Sequence, residues 1–118
     1  DKINENFIRC SFYELVSRYL SSCYTFAIEQ NNSAGRSDFE MAGIPGTDYY
    51  TDDRVVEFKY YRGKDAERML SLSEPLPEHV EQVKGYAEDT KRKFPNYNVR
   101  TYVVYICSNK GWKCWEVY

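Results

Sequence analysis

Three short stretches carry residues able to do chemistry together. In "VVEFKYY", residues 55–61, Glu57 and Lys59 sit two apart inside a run of Val, Phe and Tyr. Side chains two apart in a strand share a face, so Glu57 and Lys59 lie with Val55 and Tyr61, while Val56, Phe58 and Tyr60 point the other way. Upstream, "RSDFEMA" alternates in the same manner, with Phe39 and Met41 on one face and Asp38 and Glu40 on the other. If the two runs pair as a hairpin, Asp38 and Glu57 converge. Two neighbouring carboxylates repel, and one resists ionising. A divalent cation relieves that repulsion, and hard oxygen ligands in this number suit Mg²⁺ or Mn²⁺. An ammonium such as Lys59 beside them would position a water and neutralise charge growing on a phosphate. That is the chemistry of phosphodiester hydrolysis. The competing reading is a wet sheet face on which Glu57 and Lys59 form a solvated pair that contributes little.

The third stretch is "EQVKGYAED", where Gln82 and Tyr86 sit four apart and share a helix face. An amide and a phenol suit gripping a nucleotide. By spacing alone the plainer reading is favoured, with Tyr86 partly buried and Gln82 facing solvent. Other candidates carry less. Asp48, Asp52 and Asp53 fit no calcium-loop spacing and read as a solvated turn. His79, near a helix start, is expected to be exposed. No glycine-rich phosphate loop is present, so this stretch has no ATP site of its own. Cys10, Cys23, Cys107 and Cys114 lack metal-site spacing and argue against structural zinc. Cys107 and Cys114 flank a hairpin turn, where they could approach each other, but buried thiols in a reducing compartment are the expectation. Tyr49, Tyr50, Tyr97 and Tyr102 are candidates for an exposed protein interface, although many of the twelve tyrosines must be core.

The elements that must position these residues follow from periodicity. Residues 5–21 place Ile8, Phe12, Leu15, Val16, Tyr19 and Leu20 at helical spacing. "YTFAIEQ" alternates as a strand, "NNSAG" is a turn, "RSDFEMA" is a second strand, and "GIPGTDYYTDD" is a long hairpin loop leading to the strand at 55–61. A short helix is expected near "DAERML". Pro77 opens a further helix with Val80, Val83, Ala87 and Phe94 as its apolar face, and Pro95 stops it. "VRTYVVYIC" and "KCWEVY" form a closing hairpin through "SNKGW". The order α, β, β, β, α, β, β predicts an α/β (α+β) domain with a mixed sheet flanked by helices.

A length of 118 residues suits one domain, spanning 1–118, with a core of its own. Apolar residues make up 42% and aromatics 17%, which excludes a disordered chain. No run is long enough to span a membrane. The net charge of −2 argues against a strongly basic nucleic-acid coat. Basic residues do gather at Lys59, Arg62, Lys64 and Arg68, and again at Lys84, Lys91, Arg92, Lys93 and Arg100, though acids are interleaved in both. The chain begins at Asp1, as expected of a piece excised from a longer protein.

Taken in order, "GRSDFEM", "VVEFKYY" and "EQVKGYAED" resemble the core motifs of the PD-(D/E)xK phosphodiesterase superfamily. The glutamine and tyrosine on the helix look like its RecB-type branch. The nearest likeness is to the nuclease-like domain at the C-terminal end of bacterial ATPase-like proteins. The resemblance implies a restriction-endonuclease-like αβββαβ core. It makes Asp38 and Glu57 metal ligands, with the Phe58 carbonyl as a third oxygen, and Mg²⁺ or Mn²⁺ as the cofactor. Lys59 would position or activate the attacking water, and Gln82 and Tyr86 would orient the strand or brace the site. Glu14, the acidic residue inside the first helix pattern, is an extra candidate. It further implies a cytoplasmic bacterial setting, nucleic acid (DNA favoured) as partner, and an ATPase-like domain upstream. Ser37 stands where the motif's proline would be, and residues 62–77 read as an insertion before the helix. The expectation is a metal-dependent nuclease. Its alternative is a nuclease-fold module with weak or no catalysis that binds nucleic acid or regulates an attached ATPase-like domain.

Overall fold

The computed structural model describes the backbone of residues 5–32 and 35–117, and side chains for 10–15, 18, 20–26 and 39–117. Its elements are α1 (Glu5–Leu20), β1 (Tyr24–Asn32), β2 (Gly35–Gly43), β3 (Asp52–Tyr61), α2 (Gly63–Leu70), α3 (Pro77–Lys93), β4 (Asn98–Cys107) and β5 (Gly111–Glu116). The five strands lie side by side in chain order. β3 and β4 run parallel and the other neighbours antiparallel. A parallel pair needs a long crossover, and α2 and α3 provide it.

The crossover sets the layers. Val83 of α3 and Ala66 and Met69 of α2 bury against Val103, Tyr105 and Cys107 of β4 on one face of the sheet. Phe12 and Leu20 of α1 pack on the other face with Tyr24, Phe39, Met41, Val56 and Phe58. The Phe12 ring meets those of Phe39 and Phe58 edge-on at 4.9 and 5.3 Å. β3 is therefore covered on both sides, with Val55 and Glu57 on the α3 side and Val56 and Phe58 on the α1 side. The competing reading of a wet face at Glu57 fails, since Glu57 is buried. On the α1 side, next to β4 and β5, lies an apolar cavity of about 690 Å³ lined by Met41, Phe58, Val104, Ile106 and Trp112 among others.

Several expectations shift. Leu15 is exposed because the stripe of α1 that meets the sheet runs through Phe12, Tyr13 and Leu20. Leu15 projects well off that stripe. Phe94 is also exposed, since α3 ends at Lys93 and the Phe94 ring stacks on Tyr97 at 4.8 Å beyond the helix. Tyr86 and Asp89 are buried on α3 alongside Val83 and Ala87. Cys107 lies opposite Gly111 and Cys114 opposite Val104, so the two thiols face opposite sides of the hairpin. Of the two thiols expected to be buried, Cys107 is buried and Cys114 is exposed. Part of the "NNSAG" turn, residues 33 and 34, lies outside the described residues, as do the side chains of Ile8, Val16, Tyr19 and Ile28. Gly43 is required by space alone. A Cβ there would lie 1.5 Å from the Tyr49 carbonyl oxygen.

Candidate active site

Glu57 and Lys59 sit in the central strand, facing α3. Glu57 is 1% exposed, and its Oε1 lies 3.2 Å from the Lys59 ammonium. Period-2 geometry puts both on one face, and the apolar Val55 and Tyr61 on either side keep that face dry enough to matter. A charge so placed is costly without a partner, and removing one member of such a pair is more damaging than never having had it. Lys59 is the intermediate member, reaching toward solvent while its neighbour is sealed. Across the parallel ladder Lys59 stands opposite Tyr105. Burial raises the Tyr105 hydroxyl above its ordinary range, opposed by the Leu76 N–H it accepts and by the Lys59 charge.

Asp38 lies on β2, and its side chain falls outside the described residues. The β2–β3 ladder runs antiparallel, with Phe39 opposite Val56. Asp38 and Glu57 are each the next residue along from that pair. Phe58 turns its ring into the α1-side core, so its contribution to a site on the Glu57 face is its main-chain carbonyl. Gln82 and Tyr86 share a face of α3, and the Gln82 amide donates to the Tyr86 hydroxyl at 3.3 Å. Tyr86 is buried more fully than spacing suggested, and Gln82 is half-buried. Glu14 is exposed on α1, where it pairs with Arg18 at 3.3 Å. α1 covers the sheet face opposite Glu57.

Two more polar groups were misplaced by sequence reasoning. His79 is half-buried, its Nδ1 2.5 Å from the Tyr105 hydroxyl, which also accepts the Leu76 N–H at 2.9 Å and so ties the start of α3 to β4. Asp53, assigned to a solvated turn, is 2% exposed inside β3. It pairs with Ala42 in the ladder, and its carboxyl is within hydrogen-bonding reach of Glu40. Burial, then the Glu40 carboxylate, push the Asp53 pKa up to about 9. The signal for this was the "DDRVV" parity, which sets Asp53 on the face of Val55 and Glu57 once the strand is allowed to begin at Asp52. Asp52, on the other face, accepts from the Tyr24 hydroxyl at 2.6 Å and from Arg54 at 3.2 Å.

Among the described residues, no group of three or more His, Cys, Asp or Glu side chains is placed to hold a metal ion. Beside Lys59, the Glu57 carboxylate and the strand carbonyls offer oxygen donors. These are hard ligands of the kind Mg²⁺ and Mn²⁺ take. The large apolar cavity lies on the opposite side of the sheet and presents no carboxylate to that chemistry. No helix among the described residues is long and apolar enough to cross a membrane. A search of curated proteins finds no matching relative. The sequence does match the family model of the PD-(D/E)XK nuclease superfamily over residues 3–116, nearly its whole length, and the mixed sheet with helices on both faces agrees with that fold; the chain belongs to this superfamily.

Proposed function

We propose that the chain is a metal-dependent nuclease domain that hydrolyses phosphodiester bonds in nucleic acid, with DNA the favoured substrate. The observation that carries this reading is the Glu57–Lys59 pair at 3.2 Å on the buried sheet face, in a strand whose antiparallel register with β2 continues toward Asp38. Family membership supports the reaction class.

Asp38, Glu57 and the Phe58 carbonyl are the residues that would hold Mg²⁺ or Mn²⁺, and the ion, when bound, neutralises charge on the scissile phosphate. The remaining work belongs to the chain. Burial fixes the Glu57 carboxylate in one orientation beside the Lys59 ammonium. Lys59 also reaches toward solvent, where it orients the attacking water and stabilises the phosphorane-like charge. Gln82, held by Tyr86, braces the α3 side of the groove. The glutamine–tyrosine pair supports placement in the RecB-like branch, and an upstream ATPase-like domain would supply the basic surface that a chain of net charge −2 lacks.

Two observations favour a second reading. A nearly sealed Glu57 and an acidic net charge suit a nuclease-fold module that regulates an attached ATPase-like domain with little turnover. Mn²⁺ titration calorimetry on the wild type, Asp38→Ala and Glu57→Ala separates the two. Loss of one binding event in both variants supports the nuclease site. Equal stoichiometry and affinity in all three proteins removes it.

A further inference from the structure

On the same sheet face as Glu57, but under the last turns of α3, lies a second cavity of about 390 Å³. Its polar walls are Thr25, Glu40, Asp53, Asp89, Thr90 and Lys93. Three of these are carboxylates, and they are not equivalent. Asp89 is 3% exposed and already paired twice, with Arg92 at 2.9 Å and Lys93 at 3.2 Å. The Lys93 charge is therefore engaged. Asp53 and Glu40 face each other, and the other Asp53 oxygen, Oδ1, is buried in the cavity wall with no hydrogen-bond partner.

We propose that Glu40 and Asp53 form a binding site for a hydrated divalent cation of the Mg²⁺ or Mn²⁺ type, separate from Glu57. Two acids side by side need either a proton or a cation between them. A proton shared with Glu40 leaves Oδ1 of Asp53 without a partner, and a buried acceptor in that state costs about 1–3 kcal/mol. A cation bound between the two carboxylates, with its waters on the cavity side, gives the pair a counter-charge that a shared proton does not. Mg²⁺ is commonly held by one or two carboxylates and keeps several waters, so the Glu40–Asp53 pair fits this ion. Each water needs about 30 Å³, which the cavity accommodates. The negative end of α3 lies over the same cavity through Thr90 and Lys93 and adds to its pull on a cation.

The site is too far from Glu57 to be half of a two-metal centre. Asp53 and Glu57 are four residue steps apart along the strand, roughly 13 Å at 3.3 Å each, against about 4 Å between paired catalytic metals. Its effect is to clamp β2 to β3 at the loop end of the hairpin that carries Asp38 and Glu57. This inference stands apart from the nuclease reading.

Mn²⁺ titration calorimetry in a Glu57→Gln background tests it. One binding event should remain in Glu57→Gln, and adding either Asp53→Asn or Glu40→Gln should weaken it at least tenfold, with circular dichroism confirming the fold. Asp53→Asn alone should leave phosphodiester cleavage within twofold of wild type. No residual binding in Glu57→Gln, or binding indifferent to both added substitutions, overturns the proposal. Asp53-dependent binding in a wild type that cleaves nothing would keep this site and sink the nuclease reading instead.

Discussion

Asp53→Asn should stabilise the domain, and by more as the pH rises. In the fold Asp53 holds its proton until about pH 9, because burial and the neighbouring Glu40 carboxylate disfavour the charged form. In the unfolded chain the same group releases its proton in the ordinary aspartate range, near 4. Between those values the folded state binds a proton that the unfolded state has lost, so stability falls with rising pH. The slope is about 1.4 kcal/mol per pH unit for one proton. Going from about pH 5.5 to about pH 7.5, this single group costs the wild type about 3 kcal/mol. A domain of this size has about 5–15 kcal/mol in all, so the effect is readable. Below the ordinary aspartate range both states are protonated and the stabilisation is fully present. Asparagine keeps the shape and still offers an N–H to Glu40, but it has nothing to titrate. Urea unfolding followed by intrinsic fluorescence, at several pH values with EDTA present, gives the comparison. The two proteins should match at about pH 4 and below and diverge above it, with the variant the more stable. Parallel pH profiles for the two would refute the buried-pair argument.

Three further outcomes follow from particular contacts. Gly43→Ala drives a Cβ into the Tyr49 carbonyl and should destabilise by about 3 kcal/mol or abolish folding, read as soluble yield and urea midpoint. Tyr105→Phe removes the hydroxyl that accepts the Leu76 N–H and contacts His79, and should cost about 1–3 kcal/mol in the same unfolding assay. Tyr86→Phe keeps the buried ring and loses the Gln82 contact at 3.3 Å. It should change stability by less than about 1 kcal/mol, while a bracing role would appear as a raised KM for nucleic acid.

Much of the architecture was legible because alternation along a strand is a local property. The parity of Glu57 and Lys59 against Val56 and Phe58 was readable from the residues themselves, and the structure keeps it. What local pattern does not carry is how many layers cover a strand. A charged pair on one face suggested water there, yet α3 packs over it and seals Glu57. The same limit explains Asp53. Two consecutive aspartates after a glycine- and proline-containing loop read as more loop, but pairing with β2 and β4 extends β3 back to Asp52 and buries the second acid. His79 was misread because its partner, Tyr105, is 26 residues away and shares no periodic signal with it. Leu15 and Phe94 were counted as core from helical spacing alone. A helix can present several faces at that spacing, and only the sheet beneath decides which is used. The three motif segments were recognisable because their residue types are constrained by chemistry as well as by packing.

The central claim is that Glu57 does chemistry and is more than a buried structural acid. Cleavage of end-labelled single- and double-stranded DNA in the presence of Mn²⁺, wild type against Glu57→Gln, tests it most directly. Glutamine preserves volume and can still donate or accept beside Lys59, so the fold should survive, as circular dichroism would confirm. The account predicts cleavage by the wild type and a loss of at least about 100-fold in the variant. Equal rates in the two proteins would contradict it.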